Sequence, residues 1–481
     1  MQRFVRPGIW AASIAAMGVF ALSSTAMASG FSSARLGGLH GNTVSISPTS
    51  VYWNPGAIGK LEGHHLYLDG MFALRHASFT TERDDPANSG RNTLGDKGNN
   101  FIISPALAFT TDFGGSNVVL GAGFYVPFGG QAVWGKTDVP SGYPDFVADG
   151  PQRWYNIEGS IQQLTGTLGA AVRTNDKTFS AGLMLNLNIF KIDTLRARNG
   201  DGGDDVLNSD GSVKEGRSRL NASSVDLSVG LGAHWNSKDQ RWAAGASWQT
   251  GPNISGRQTL KGDLINQFGA SPRATSQVAV SQTMPHAARV GLAYRFVQDP
   301  VDAEDEPIIK GELRLGAELT TWNQFKSQCI VQESALGDAS IHQVCKTDAN
   351  GVVEESNALV QNLIRDWKLG YGVKLSGSYY LNDRIELGAG LGFDSNAIPD
   401  YTLDPALMDM NKIAVDLGGN FQVVDWLAIM VQFTDVIYLT RDTNGNPGLS
   451  EGFSTKNSQP SSGARYTQNI FITNVGLHFS F

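Results

Sequence analysis

From residue 64 to the end of the chain, apolar and polar residues alternate in one segment after another. Strict alternation is the period of a β-strand, whose successive side chains point to opposite faces. Segments of at least about eight such residues are predicted at 64–80, 100–111, 117–127, 157–173, 178–195, 219–236, 241–257, 273–296, 309–326, 361–381, 384–397, 409–423, 426–439 and 467–481. Val225, Leu227, Val229, Leu231, Ala233 and Trp235 alternate with Ser224, Asp226, Ser228, Gly230, Gly232 and His234. Leu313, Leu315, Ala317 and Leu319 face away from Glu312, Arg314, Gly316 and Glu318 in the same way. Two-faced strands fit a soluble sandwich with its apolar face inward and a membrane barrel with its apolar face outward. Period alone does not choose.

The connections do. Stretches 81–99, 128–156, 196–218, 258–272, 327–360 and 440–466 are long, 112–116, 174–177, 237–240, 382–383 and 424–425 are short, 298–308 and 398–408 are intermediate, and taken in order longer and shorter connections alternate. Long loops on one side and tight turns on the other are the pattern of bacterial outer-membrane barrels, and a sandwich has no reason to sort its loops so. The expected fold is all-β, a 14-stranded antiparallel transmembrane β-barrel over 64–481. Residues 29–63 follow neither period, yet they include Leu36, Val44, Ile46, Val51, Tyr52, Trp53 and Ile58, too many apolar groups for a solvated tail. A hatch plugging the barrel is the expectation for them.

Composition agrees with this picture. Charged residues are only 17% of the 481, Gly is abundant, and no internal apolar run approaches the roughly 18 residues of a membrane helix. At the start, Arg3 and Arg6 precede the apolar segment 9–22, and Ala26-Met27-Ala28 supplies a small-residue cleavage signal, so residues 1–28 read as a secretory signal peptide. The net charge of −8 is spread along the chain without a Lys/Arg block, which argues against a nucleic-acid partner. Cys329 and Cys345 lie in one polar stretch and, if oxidised, would close a loop contributing up to roughly 3 kcal/mol.

Catalytic and metal chemistry find little support. There is no Gly-x-Ser-x-Gly arrangement, and Asp226, Ser228, His234 and His286 read as scattered wall residues rather than a lipid-modifying site. His64, His65 and His76 lack metal spacing, and the acidic stretch 199–205 lacks the closing Glu of an EF-hand. No cofactor is expected. A general diffusion porin remains a second reading, and it requires the N-terminal segment to lie outside the pore.

Phe31-Ser32-Ser33 with Leu36-Gly37, Ser47-Pro48 and Asn54-Pro55-Gly56 resembles the hatch of the FadL-type outer-membrane transporters of long-chain fatty acids and hydrocarbons, a family that includes TodX-like aromatic hydrocarbon channels. Tyr125-Val126-Pro127-Phe128-Gly129, Thr321-Trp322-Asn323-Gln324-Phe325, Phe393-Asp394-Ser395 with Pro399, and the final Phe481 follow in the same order as in that family. The family usually has Asn-Pro-Ala, so Gly56 is a small departure. The resemblance implies capture of a hydrophobic molecule among the outer loops, gating by Asn54, Pro55 and Gly56, and lateral release where Pro127, Phe128, Gly129 and Gly130 kink the third strand. Phe146, Trp134, Trp154, Tyr155 and Phe325 are candidate ligand contacts, and Lys191, Arg196, Arg198 and Lys326 are candidates to hold a carboxylate. A monomer in contact with outer-membrane lipid and lipopolysaccharide is expected, and the terminal aromatic Phe481 resembles the signal read by barrel-assembly machinery.

Overall fold

A computed structural model describes residues 36–95, 100–269, 271–298, 308–444 and 462–481. The signal-peptide stretch 1–28 and the first hatch residues, with Phe31, Ser32 and Ser33, lie outside the described residues. Fourteen antiparallel strands close into one barrel. They are β1 His64–Thr81, β2 Phe101–Thr111, β3 Val118–Val133, β4 Glu158–Arg173, β5 Phe179–Arg198, β6 Gly216–Asn236, then β7 in two pieces, Trp242–Gln249 and Arg257–Gln267. β8 is Ala274–Thr283 with Ala287–Gln298, β9 is Ile308–Thr320 with Ser327–Gln332, and β10 is Leu359–Ile364 with Gly370–Asn382. β11 Ile385–Asp394, β12 Lys412–Val424, β13 Leu427–Tyr438 and β14 Arg465–Ser480 complete the wall. Closure runs from His65↔Ser480 to Thr80↔Arg465, and the Phe481 backbone exchanges hydrogen bonds with that of His64 at 2.9 and 3.0 Å.

The faces settle the choice that alternation left open. Leu183, Leu185, Leu187, Leu227, Leu231, Leu313, Leu315, Leu375 and Leu417 are exposed on the outer face. On the inner face Asp69, Asn186, Asn188, Ser228, Arg289, Arg314, Asp416 and Gln432 are buried. Polar inside and apolar outside is the arrangement of a wall that meets hydrocarbon.

Several expected boundaries are corrected. The stretch 258–272 is mostly strand, because β7 resumes at Arg257 and pairs with β6 and β8. β7 breaks at 250–256, where Pro252 cannot donate and Asn253 and Ile254 take positive φ values of 51° and 64°. β8 breaks at Met284-Pro285-His286, β9 turns through Trp322–Gln324, and β10 breaks at 365–369. Backbone bonds carry the wall across, including Met284 N–H to Gly256 O at 2.8 Å and Thr321 N–H to His286 O at 3.0 Å. The 327–360 loop is shorter than expected because Ser327–Gln332 and Leu359–Ile364 pair. Within it Cys329 and Cys345 form a disulfide.

The orientation of the apolar face carries a stability prediction. Leu185→Arg, on the outer face of β5, should destabilise the barrel in lipid vesicles by about 2–4 kcal/mol if the residue lies near the midplane. Urea titration in vesicles checks this, and Ser228→Ala on the lumen face should cost much less.

Candidate functional site

Residues 36–63 cross the lumen near the short-turn end as three short helical turns, Gly38–His40, Ser50–Trp53 and Ala57–Lys60. Single turns this short are not stable alone, so wall contacts must hold them. Val51, Ile58 and Leu61 pack with Ala108, Val119, Ala171 and Met430 of the wall. Polar ties surround this contact. Asp69 of β1 accepts from Gly37 N–H at 3.1 Å, Arg314 of β9 donates to Leu39 O at 3.0 Å, and His40 meets Glu386 of β11 at 3.0 Å. Arg173 of β4 donates to Leu61 O at 2.9 Å and pairs with Asp112 at 3.0 Å.

Asn54 sits at the centre of these ties, fully buried. Its side-chain amide donates to Thr43 O and to Ala233 O of β6, both at 2.9 Å, and its Oδ1 accepts from Gly56 N–H at 3.0 Å. One side chain therefore closes the turn and fastens it to the wall. The wall is shaved to receive it: a Cβ on Gly182 would lie 2.3 Å from Pro55 O, one on Gly232 2.1 Å from Asn54 Oδ1, and one on Gly245 2.3 Å from Thr43 O. Gly56 is needed for the same reason. Its φ of −65° suits any residue, but an added Cβ would come within 2.7 Å of the Ala233 Cα.

Next to the turn, Tyr52 links the hatch to both sides of the barrel. Its ring makes an edge-to-face contact with Tyr125 on β3 at 4.8 Å between centroids, and the Arg289 guanidinium lies over the ring, 4.8 Å from its centroid. Arg289 also donates to the Tyr52 hydroxyl at 3.2 Å and pairs with Glu318 at 2.6 Å. Burial raises the Tyr52 pKa, so the phenol stays protonated.

The wall is incomplete between β2 and β3. β1 pairs with β2 as far as Leu74↔Phe101, and β3 pairs with β4 as far as Val133↔Glu158. Between β2 and β3 the ladder runs only from Thr111↔Leu120 to Leu107↔Phe124. At the point where it stops, the register against β4 shifts between Tyr125↔Thr165 and Phe128↔Gln163, so Val126 and Pro127 bulge opposite a single residue. A bulge bends its strand, and proline withdraws a ladder donor. Beyond the gap the wall closes again through Leu94↔Trp134 and the bond from Gly95 N–H to Val133 O at 2.8 Å.

Cavities lie within the lumen among the described residues. One is lined by Gly130, Gln131 and Ala132 beside the gap and by Ile161, Ile192, Leu220 and Leu407, with Arg75, Arg196 and Arg365. Among the described residues its one lining carboxylate is Asp404, which pairs with Arg365 at 2.7 Å. Another lies against the hatch through Asn42, Thr43 and Trp53, and carries Arg289, Lys374 and Lys412 together with Glu318 and Asp394. Phe128, Trp322, Phe325, Trp367, Ile398 and Met410 belong to the apolar core of the same lumen. The connection 395–411 folds inward and supplies Asp404, Ala406, Leu407 and Met408 to the first cavity. Asp409 in this connection is fully buried, and loss of hydration raises its pKa to about 7, against the lowering influence of Lys412 and of the Ala397 N–H it accepts at 2.6 Å.

The expected ligand residues separate into two groups. Arg196, Tyr155 and Gly130 line the first cavity. Lys191 is exposed on the outer face of β5. Lys326 pairs with Asp366, and Arg198 donates to Val360 O at 3.2 Å. Trp134 and Trp154 are buried in packing, with the Trp154 Nε1–H donating to Asn88 Oδ1 at 2.7 Å, so the 128–156 loop holds its aromatics inward and does not present them as an open groove. Phe146 packs beneath Arg217, and Phe325 packs on Trp322 and Trp367. Asp226, Ser228, His234 and His286 make separate contacts: Ser228 with Asn186 and Asn188, Asp226 with Asn253 and Gln258, His234 with Val44 O, and His286 with Trp248. Among the described residues no group of three or more His, Cys, Asp or Glu is placed to hold a metal ion. Sequence reasoning missed Arg75 and Arg365. Arg75 shares the parity of the lumen-facing Asp69, which was the available signal.

No protein-family description matches the chain. A Neisseria meningitidis protein described as an outer membrane protein is 31% identical over 112 residues, which is 21% of this chain and 24% of that protein. The matched stretch thus spans about a quarter of that relative. Among solved structures, a Pseudomonas aeruginosa FadL homologue aligns over 95% of this chain and 98% of its own, with a TM-score of 0.70 and 14% identity. The toluene transporter TbuX of Ralstonia pickettii aligns over 92% and 95% with a TM-score of 0.62 and 13% identity, and TodX of Pseudomonas putida over 93% and 97% with 0.61 and 12%. The chain has the FadL-type fold.

Two outcomes follow from this geometry. Gly56→Ala forces the hatch turn off the β6 backbone, so single-channel conductance in planar bilayers should rise while the folded barrel survives. Asp409 binds a proton in the folded state that the unfolded chain releases above the ordinary carboxylate pKa of 3.8, so stability should fall as pH rises from about 4 through about 7. Asp409→Asn should flatten that decline, as thermal unfolding at pH 5 and pH 8 would show.

Proposed function

We propose that this FadL-type barrel lies in the outer membrane of a Gram-negative cell and carries hydrophobic small molecules inward, taking them at the long-loop end and releasing them sideways between β2 and β3. The observation that carries this reading is the interrupted β2–β3 ladder beside a cavity lined by Gly130, Gln131 and Ala132. A molecule in that cavity has hydrocarbon as its nearest exit. Each methylene moved from an apolar site into water costs roughly 0.8 kcal/mol, whereas moving it into a bilayer is nearly neutral, so a side exit suits an apolar cargo. The hatch supports the same reading, because wall strands from β1 to β13 hold it across the alternative, axial route.

The Asn54-Pro55-Gly56 turn is the proposed gate of that axial route. A porin reading requires residues 36–63 to lie outside the lumen, and they lie inside it. The solved structures of the same fold are described as transporters, which supports transport as the reading. Barrel-assembly machinery and outer-membrane lipid are the proposed partners of biogenesis, with Phe481 exposed at the end of β14.

The test is uptake. Gly129→Val with Gly130→Val places two β-branched side chains at the edge of the gap and the cavity. Uptake of a radiolabelled hydrophobic substrate should fall severalfold at unchanged surface abundance, and normal uptake would argue against release at this site.

A further inference from the structure

The side chain of Arg75 reaches the open edge of β3 beside the β2–β3 gap. Arg75 of β1 reaches past β2: its Nη1 donates to the Gln131 carbonyl of β3 at 3.1 Å. Its Nε and Nη2 donate to Gln468 Oε1 of β14 at 3.1 and 2.6 Å. The Gln131 carbonyl lies beyond the last β2–β3 pair, so it has no β2 residue opposite it, and the guanidinium occupies the place of a ladder donor. Arg75 is thus a brace that ties the loose edge of β3 to β14 across the gap.

The same guanidinium lines the cavity beside Gly130 and Gln131. It is 6% exposed, and no carboxylate lies within 4 Å of it among the described residues. Arg196 nearby donates to a neutral partner, Gln361, and shares the Asp404 carboxylate's field with Arg365. With Asp404 given over to Arg365, the cavity holds three guanidinium groups and one carboxylate. Buried charges are normally paired, and a guanidinium matches a carboxylate with two parallel donors in a way that a single neutral carbonyl cannot equal.

We propose that Arg75 is a latch on the lateral gap, opened by the carboxylate headgroup of an amphiphilic cargo. The carboxylate draws the guanidinium from the Gln131 carbonyl, the β3 edge loses its brace, and the gap widens beside the apolar tail. Opening is then coupled to arrival of an acid and does not need the hatch to move. A neutral hydrocarbon of the same length fills the cavity without releasing the latch. This inference rests on the reading of the chain as a transporter of hydrophobic molecules.

The experiment compares oleate with oleyl alcohol on the full chain in detergent, for wild type, Arg75→Gln and Arg75→Lys. Affinity is read by tryptophan fluorescence, and the gap by the distance between spin labels at Ile103→Cys and Val133→Cys. In wild type, oleate should bind about tenfold more tightly than oleyl alcohol, the worth of one charge-assisted pair, and should lengthen the label distance. Arg75→Gln should lose that preference and show the longer distance without ligand. Arg75→Lys should keep a preference for oleate while starting from the longer distance, because an ammonium holds the acid without spanning β14 and β3. It also carries the test if Arg75→Gln fails to fold, as judged by heat-modifiable gel mobility. Equal affinity for both ligands in wild type, or a label distance that oleate leaves unchanged, would overturn the latch while leaving hydrophobic binding intact. Binding of neither ligand by wild type would overturn both the latch and the transport reading.

Discussion

Within hydrocarbon, a backbone N–H or C=O has no water to turn to, and each must find its partner inside the chain. This requirement explains the fourteen closed strands, and it also explains the care taken where closure fails. β3 leaves β2 after Phe124, and two of the carbonyls released along β3 are taken up locally. The Gln131 carbonyl receives Arg75, and Val133 O receives Gly95 N–H. The breaks in β7 to β10 are covered in the same manner, by backbone bonds such as Met284 to Gly256 and Trp367 to Phe325. An opening in such a wall is affordable only where substitute donors stand ready.

The hatch obeys a related constraint from the inside. Its turns are too short to be stable alone, so their polar groups are shared out among the surrounding strands. Asn54 joins Thr43 and Ala233, Ser180 donates to Gly56 O at 2.8 Å, and Ser247 donates to Trp53 O at 2.6 Å. Gly182, Gly232 and Gly245 bring the two backbones into contact by offering no side chain. The result is a plug that is specific to this wall. Tyr52, between Tyr125 of the bulging strand and Arg289 of the opposite wall, places the hatch in contact with the edge where β3 departs.

The barrel was legible in the sequence because lipid-facing and lumen-facing residues must alternate, and because the turns sort by length. Breaks inside strands were less visible. Pro285 signals one, but Trp322 and Asp366 carry no local mark, and only pairing across the wall shows that Ser327–Gln332 resumes β9. Parity would have placed Lys191 correctly: it shares the outward phase of Leu185 and Leu187, whereas Arg196 shares the inward phase of Asn186 and Asn188. The loop aromatics were misleading for a different reason. Composition cannot distinguish Trp154, whose indole is buried on Asn88, from a tryptophan waiting for a ligand. Arg365 and Asp404 come together only because the 395–411 connection folds into the lumen, which no periodic signal records.

A hydrophobic cargo that leaves through the wall and not along the axis must pass the β2–β3 gap. The most direct measurement is to present a photoreactive fatty acid to the long-loop end of the protein in lipid vesicles, irradiate, and map the labelled peptides by mass spectrometry. With lateral release, labels are expected on Phe101–Ala106 and on Gly130–Ala132, which flank the gap. Labels on Lys60 and Leu61 at the short-turn face of the hatch, with none at the gap, would contradict it.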